Sequence, residues 1–364
     1  MEGRDNMEDK NNLYKYPIAL TQQFKHCGNA FRIDTYKGCD FGCNYCFANT
    51  RGGNIAKGLQ IADFSVIEKN FVKAFEDDKE TKNITIEMLR RKVPLHLGGM
   101  SDPFQTREWK YGLTYKLLEL TKKYNYPMII STKTAYIPEE YFEVLDNRIH
   151  AFQVSLISMD NDYIRKFETK TPLPNERKAF IKSLKEKGFW VSVRIQPLIK
   201  IEHGLDVVRE MSSIVDYITV EHIKIGNDNK NKIRMFKNME LDPSDFKSCG
   251  REYEFRIEIK RDNIIRLKEI SKCPIGCGDN DLHEFSDSNN CCGIDTINEN
   301  FDGWIKYNSM YINKTGDKTQ WCPKSNCSSC FNSEQRISGF CFKDYVDDYI
   351  ENPRKEGLCK VRLD

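Results

Sequence analysis

Three cysteines fall within eight residues, in the run Gly38-Cys39-Asp40-Phe41-Gly42-Cys43-Asn44-Tyr45-Cys46-Phe47. Four thiolates saturate a [4Fe–4S] cluster, whereas three at a C-x3-C-x2-C spacing hold it and leave one iron with an open position. An open position is the mark of a reactive metal centre rather than a structural one. Zinc is the competing chemistry. A tetrahedral knuckle needs a fourth Cys or His nearby, and upstream Cys27 and His26 can supply one. Downstream the next cysteine is Cys249 and the next histidine His96.

A second cysteine set lies near the C-terminus. Cys273-x3-Cys277, the adjacent Cys291-Cys292, and Cys322-x4-Cys327-x2-Cys330 followed by Cys341 are candidate metal ligands. C-x2-C and C-x4-C spacings place two sulfurs on one turn, as zinc and iron–sulfur sites both require. An auxiliary iron–sulfur cluster and a structural zinc are both compatible with this set. Of the 14 cysteines, four precede residue 47 and ten follow residue 248, so two regions with different tasks are expected. Between two of these groups, Asp279-Asn280-Asp281-Leu282-His283-Glu284 offers an acid, a base or a metal ligand, or else an exposed acidic loop.

The elements that must position the first loop follow from periodicity. Apolar runs at 30–36, 93–99, 127–132, 151–157, 189–196 and 217–222 alternate with helical patterns at 61–76, 109–124, 138–145, 175–187 and 206–214. Six strands alternating with helices specify a parallel sheet, and six βα units form a partial (β/α)6 TIM-type barrel. In such barrels the chemistry sits at the C-terminal strand ends, where the cysteine loop follows the first strand. Strand two ends in Leu97-Gly98-Gly99-Met100-Ser101-Asp102-Pro103-Phe104-Gln105, whose paired glycines allow close backbone approach to a ligand or simply end the strand in a turn. Past residue 230 the alternation fails: 227–238 reads as an Asn- and Lys-rich connector, and 272–359 is rich in Cys, Gly, Asn and Ser with little periodicity. The expected division is a loose tail over 1–15, a barrel over 16–230 and an irregular cysteine-rich domain over 231–364.

Composition excludes some classes. Lys and Arg number 56 against 54 Asp and Glu, a balance without a global nucleic-acid footprint. No run is long and apolar enough to span a bilayer. The polar segment 1–12 lacks the apolar stretch of a secretion signal, so a cytoplasmic protein with reduced cysteines is expected. Aromatic residues interleave with basic ones around Phe104, Arg107, Trp109 and Lys110, which suits stacking on bases, although most aromatics in such a chain are core. His203 and His222 read as ordinary polar residues near the barrel rim.

The cysteine loop, with an aromatic before its last cysteine, resembles the signature of radical S-adenosylmethionine (radical SAM) enzymes. Together with Ser101-Asp102-Pro103-Phe104-Gln105, Ser131-Thr132-Lys133 and Val154-Ser155, it resembles their spore photoproduct lyase-like branch over residues 29–225. The resemblance implies a [4Fe–4S] cluster on Cys39, Cys43 and Cys46, whose open iron chelates the amino and carboxylate groups of SAM. Reductive cleavage then gives a 5′-deoxyadenosyl radical that abstracts a substrate hydrogen. It also implies SAM contacts from Gly98, Gly99, Ser101, Lys133 and Ser155, with Tyr45 beside the adenine. A one-electron reductant of flavodoxin or ferredoxin type and a nucleic-acid or nucleobase substrate are the implied partners. Two departures matter. Many relatives carry Glu after the paired glycines, and this chain has Met100, which leaves the SAM amino group to backbone carbonyls. In the true lyase a cysteine before the Ser-Asp pair returns a hydrogen atom; the thioether of Met100 has none to give, so a different reaction on the same scaffold is expected. The density of C-terminal cysteines makes a peptide-modifying radical SAM enzyme the alternative, though the spacings do not match, and a zinc-stabilised binding protein is the reading from another class.

Overall fold

The computed structural model describes residues 13–20, 29, 31–49, 60–79, 83–226, 229–249, 252–279, 281–288 and 290–303. Its centre is an eight-stranded sheet whose spatial order follows the chain: β1 (Ile18–Leu20), β2 (Phe31–Ile33), β3 (Leu95–Leu97), β4 (Met128–Thr132), β5 (His150–Ser155), β6 (Val191–Leu198), β7 (Tyr217–His222) and β8 (Ile275–Cys277). The edge strand β1 runs antiparallel to β2, and the other pairings are parallel. Among the described residues β1 and β8 do not pair, so the sheet is an open, partial barrel of the TIM type. All parallel strands therefore end at the same edge, which is the mouth.

Side-chain alternation separates the two faces. Leu95 and Leu97 of β3, and Met128 and Ile130 of β4, enter the large core shared with the helices. Around the sheet lie α1 (Phe64–Phe75), α2 (Leu113–Lys123), α3 (Asn161–Phe167), α4 (Pro174–Glu186), α5 (Ile201–Met211) and α6 (Ile257–Ile270), of which α3 packs Ile164 and Phe167 into a separate cluster and the others share the large core. In α1 the buried residues Ile67, Phe71 and Ala74 fall at helical spacing, and Asp63 caps its first turn through Ser65 N–H at 3.2 Å. His96, Ser131 and Gln153 take the opposite, inner face between the apolar residues of their strands, and all three are buried.

The strands expected from sequence are present, with shifted ends. The helix expected over 109–124 is divided at Gly112, whose φ of +61° closes a short turn of helix (Glu108–Tyr111) and opens α2. Buried Glu108 then accepts hydrogen bonds from Thr114 N–H and Tyr115 N–H, both at 2.9 Å, and so neutralises the exposed donors of α2. Segment 227–238, read as a connector, carries a helix over Asn229–Met239, followed by a small antiparallel sheet of Lys224–Gly226, Phe246–Cys249 and Glu252–Phe255.

The main sheet does not end at residue 230, because β8 joins β7 in parallel register, Ile218 opposite Ile275 and Val220 opposite Cys277. Residues 290–303 then close the inner face near the N-terminal strand ends: Ile294 and Phe301 pack on Ile129 and Ala151, and Thr219 Oγ1 donates to the Cys291 carbonyl at 2.9 Å. The tail before residue 13 and Cys322, Cys327, Cys330 and Cys341 lie outside the described residues.

Candidate active site at the sheet mouth

The cysteine loop leaves the C-terminal end of β2 and is tied on both sides to neighbouring strand ends. Gly38 and Gly42 adopt positive φ, +86° and +68°, and turn the chain where a Cβ would be strained. On one side Gln105 straps the loop, its Nε2 donating to the Gly38 carbonyl at 3.1 Å and its Oε1 accepting from Asp40 N–H at 3.3 Å. Thr106 N–H also donates to the Asp40 carboxylate at 3.2 Å. On the other side Asn44 N–H donates to the Phe167 carbonyl at 3.0 Å, Lys170 N–H donates to the Phe41 carbonyl at 3.2 Å, and Cys43 bridges Glu168 through the backbone. The β3 loop and the end of α3 thus hold the cysteines from opposite directions.

Cys39, Cys43 and Cys46 are free, partly exposed thiols. Burial, with the charge of Asp102 adding to it, pushes the Cys39 thiol up to about 12. Burial also raises Cys43, to about 11, against the opposing pull of nearby Lys133. Among the described residues no three Cys, His, Asp or Glu side chains are already drawn together around a metal position. The donor set nevertheless fits an iron–sulfur cluster by its chemistry: three soft, unpaired, accessible thiols on one braced loop, which cluster assembly deprotonates.

Three residues singled out from sequence converge on a pair that was not. Glu168 is fully buried and receives Arg177 Nη2 at 2.5 Å, from a guanidinium that is itself fully buried. The same carboxylate accepts from the Tyr45 hydroxyl and faces Lys133 Nζ at 3.7 Å. Lys133 also lies 5.8 Å from the centre of the Tyr45 ring. Arg177 Nη1 donates to the Ser155 carbonyl at 2.9 Å. Burial alone would raise the Glu168 carboxyl, but Arg177, Lys133 and the hydrogen bonds outweigh it and hold the group below its ordinary value. A Glu and an Arg nine positions apart form no recognisable motif, and only the turn from α3 into α4 brings them together.

At the end of β3, Gly98 has a φ of +88°, and a Cβ there would stand 2.3 Å from the Ser131 carbonyl oxygen. This glycine is required by the neighbouring strand. A Cβ on Gly99 would make ordinary contact with His96 Nδ1 at 3.5 Å. Ser101 is buried, and its hydroxyl donates to the Tyr36 carbonyl at 2.5 Å, so it ties the segment to the start of the cysteine loop. Asp102 fastens the end of β4 through Lys133 N–H at 2.6 Å and Thr132 Oγ1 at 2.9 Å; burial raises its carboxyl to about 6 against these bonds.

The described C-terminal cysteines do not form one centre. Cys277 packs into the helix-facing core, while its neighbour Gly276 faces Cys291, whose carbonyl oxygen lies 2.3 Å from where a Cβ would stand. Cys291 and Cys292, with sulfurs 3.4 Å apart, are therefore on the opposite side of β8 from Cys277. Asp279 is not part of an exposed acidic loop: it is buried and pairs with buried His222 through Nδ1 at 2.7 Å. His222 Nε2 contacts Asn263 Nδ2 at 3.2 Å, so this histidine fastens β7 to α6 and β8.

Residues 33–206 match the family model of the radical SAM superfamily. Two uncharacterized proteins, Rv2578c of Mycobacterium tuberculosis and Mb2609c of Mycobacterium bovis, are each 24% identical to it over 195 residues, 52% of this chain and 54% of theirs. The chain thus spans about half the length of the curated relatives it matches. Among solved structures, spore photoproduct lyase complexed with dinucleoside spore photoproduct superposes with a TM-score of 0.53 at 16% identity, covering 71% of this chain and 78% of that one. That likeness is one of fold. Among the described residues no helix is long and apolar enough to cross a membrane.

Proposed function

We propose that this chain is a radical SAM enzyme in which Cys39, Cys43 and Cys46 hold a [4Fe–4S] cluster and SAM occupies the mouth beside it. The observation that carries the reading is the braced loop: three free thiols fixed between the 101–106 segment and the 166–170 segment, at the edge where every parallel strand ends. When bound, the cluster supplies the electron that cleaves SAM to a 5′-deoxyadenosyl radical, which takes hydrogen from substrate.

The chain's own residues bind and orient. Lys133, held by Glu168 beneath the Tyr45 ring, presents a cation to the SAM carboxylate or ribose oxygens. Tyr45, anchored through its hydroxyl to Glu168, offers a fixed face to the adenine. The backbone of Gly98 and Gly99 at the β3 end would face the SAM amino group, with Ser101 contributing from the loop after β3 and Ser155 from the end of β5. The substrate class proposed is a nucleic acid or nucleobase, from the sequence blocks shared with the spore photoproduct lyase-like branch. A flavodoxin- or ferredoxin-type reductant would supply the electron, and the cytoplasm is the compartment that would keep the thiols reduced.

The test is anaerobic purification and reconstitution followed by incubation with SAM and a strong reductant. Formation of 5′-deoxyadenosine that disappears in Cys43→Ala supports the proposal. Iron-free protein containing zinc would overturn it.

A further inference from the structure

Below the mouth, the inner face of the sheet carries a layer of buried polar side chains in which several N–H donors have no partner. His96 Nε2 and Ser131 Oγ are 2.7 Å apart, Arg194 Nη1 donates to Ser131 Oγ at 3.2 Å, and Ser131 Oγ donates to Gln153 Oε1 at 3.2 Å. Gln153 Oε1 also accepts from Asn29 Nδ2 at 3.3 Å. Ser131 Oγ and Gln153 Oε1 are both fully used as acceptors. Three buried N–H donors around them are not used: Arg32 Nε, Gln153 Nε2 and Arg194 Nε meet no partner. Gln153 is itself fully buried. Buried donors are seldom left without a partner, so a group of three marks a place for an acceptor.

The group carries positive charge. Arg194 and Arg32 both bear on His96, which burial first and Arg194 next, against an opposing Cys292 and with Arg32 assisting, drive down to about 3, so the imidazole is neutral. Two carboxylates partly offset this charge: Asp34, near Arg32, whose Oδ1 accepts from Met100 N–H at 2.9 Å, and Glu221, near Arg194, which pairs with Lys224 at 2.7 Å and accepts from Gln196. The layer is sealed from below by Ile294 and Phe301 against Ile129 and Ala151, and by Cys292 against Asn29 at 3.2 Å. Upward it meets Gly99, whose absent Cβ would lie 3.6 Å from Arg32 Cδ and 3.5 Å from His96 Nδ1.

We propose that Arg32, Gln153 and Arg194, grouped around His96 and Ser131, form a binding site for an oxyanion, a phosphate or carboxylate belonging to the substrate. Two guanidinium groups and an amide N–H suit the lone pairs of such a group, and neutral His96 adds no competing charge. An anionic end anchored here would point the rest of the molecule past Gly99 toward the mouth. This assignment rests on the reading of the mouth as the SAM site, and it narrows the substrate to one with an acidic group that can enter the barrel.

The test uses the cluster-loaded full chain with inorganic phosphate and acetate as separate probes, followed by phosphorus NMR line broadening and by thermal shift. Saturable binding of either probe is expected in the wild type, phosphate preference pointing to a nucleotide and acetate preference to a carboxylate substrate. Arg194→Gln should weaken binding by about tenfold or more. Gln153→Glu, which places the chain's own oxyanion among the donors, should abolish it while circular dichroism remains native. SAM affinity, measured in parallel, should be unchanged in both variants. Absence of saturable binding in the wild type, or equal binding in the variants, would overturn the proposal and leave the layer to buried water. Parallel loss of phosphate and SAM binding would also overturn it, since the layer would then serve the SAM carboxylate. Failure of SAM cleavage alone would count against the proposed enzyme and not against oxyanion binding.

Discussion

Glu168 and Arg177 form an ion pair of 2.5 Å in which both side chains are wholly removed from solvent. Such a pair is weak evidence for stability, because desolvation offsets most of the attraction, but removing one partner strands a buried charge. Here it also joins the cysteine loop, through Tyr45 and the Cys43–Glu168 bridge, to β4 through Lys133 and to β5 through the Ser155 carbonyl. We expect Glu168→Leu to destabilise the fold by roughly 3–5 kcal/mol in urea denaturation. The double variant Glu168→Leu, Arg177→Met should recover much of that loss. Equal losses in the single and double variants would show that the pair only fills space.

The cysteine loop and the alternating strands were legible in the sequence because both are local patterns: ligand spacing is fixed within eight residues, and strand periodicity within five or six. What brings distant segments together was not. Glu168 falls between the expected elements and Arg177 within the helical pattern over 175–187, and only the turn from α3 into α4 brings them together. β8 was hidden because its three residues, Ile275-Gly276-Cys277, sit among cysteines that suggested metal binding. The same cysteines misled by spacing alone: Cys277 and Cys291 lie on opposite faces of β8, an arrangement set by strand alternation and invisible to a count of intervening residues.

For the metal, the loop itself is the variable. Wild-type protein purified without oxygen should contain about four irons per chain, and a Cys39/Cys43/Cys46→Ala variant close to none. Iron and zinc are measured together. Iron that persists in the variant would place the cluster on other cysteines.

Lys133 offers a narrower test, because its ammonium is mostly shielded and pairs with Glu168 at 3.7 Å. Lys133→Ala should lower SAM affinity about tenfold, the value of one charge-assisted contact, while iron content stays at the wild-type level. Equilibrium binding of SAM to the reconstituted variant checks both halves. Unchanged affinity would remove Lys133 from the site.

The paired glycines should not be equivalent. Alanine at Gly98 must combine a φ of +88° with a Cβ 2.3 Å from the Ser131 carbonyl oxygen, and backbone atoms cannot rotate away. Gly98→Ala is expected to cost roughly 2 kcal/mol or more. Gly99→Ala meets only van der Waals contact at 3.5 Å and should fold normally. Comparable melting temperatures for the two variants would contradict the strand geometry.

His150 gives a pH signature away from the mouth. It is fully buried between Thr121 Oγ1, 3.0 Å from Nε2, and Asp146 N–H, which donates to Nδ1 at 3.0 Å. Burial lowers it to about 3, with the Asp146 charge opposing and Lys122 assisting. A histidine whose folded value lies below its unfolded value takes up its proton more readily in the unfolded chain. Its stabilising contribution is therefore present above about pH 6.5 and is lost as pH falls from there toward 3. At pH 5 the loss is about 2 kcal/mol. Asp34 and Asp102, raised by burial to about 6, change stability in the opposite direction over much of the same range, so the wild-type profile alone is a mixture. The difference between wild type and His150→Gln isolates the histidine. The stability deficit of His150→Gln, measured by urea denaturation at each pH, should shrink by about 2 kcal/mol between pH 7 and pH 5. A deficit that stays constant would mean that His150 is not held neutral by its burial.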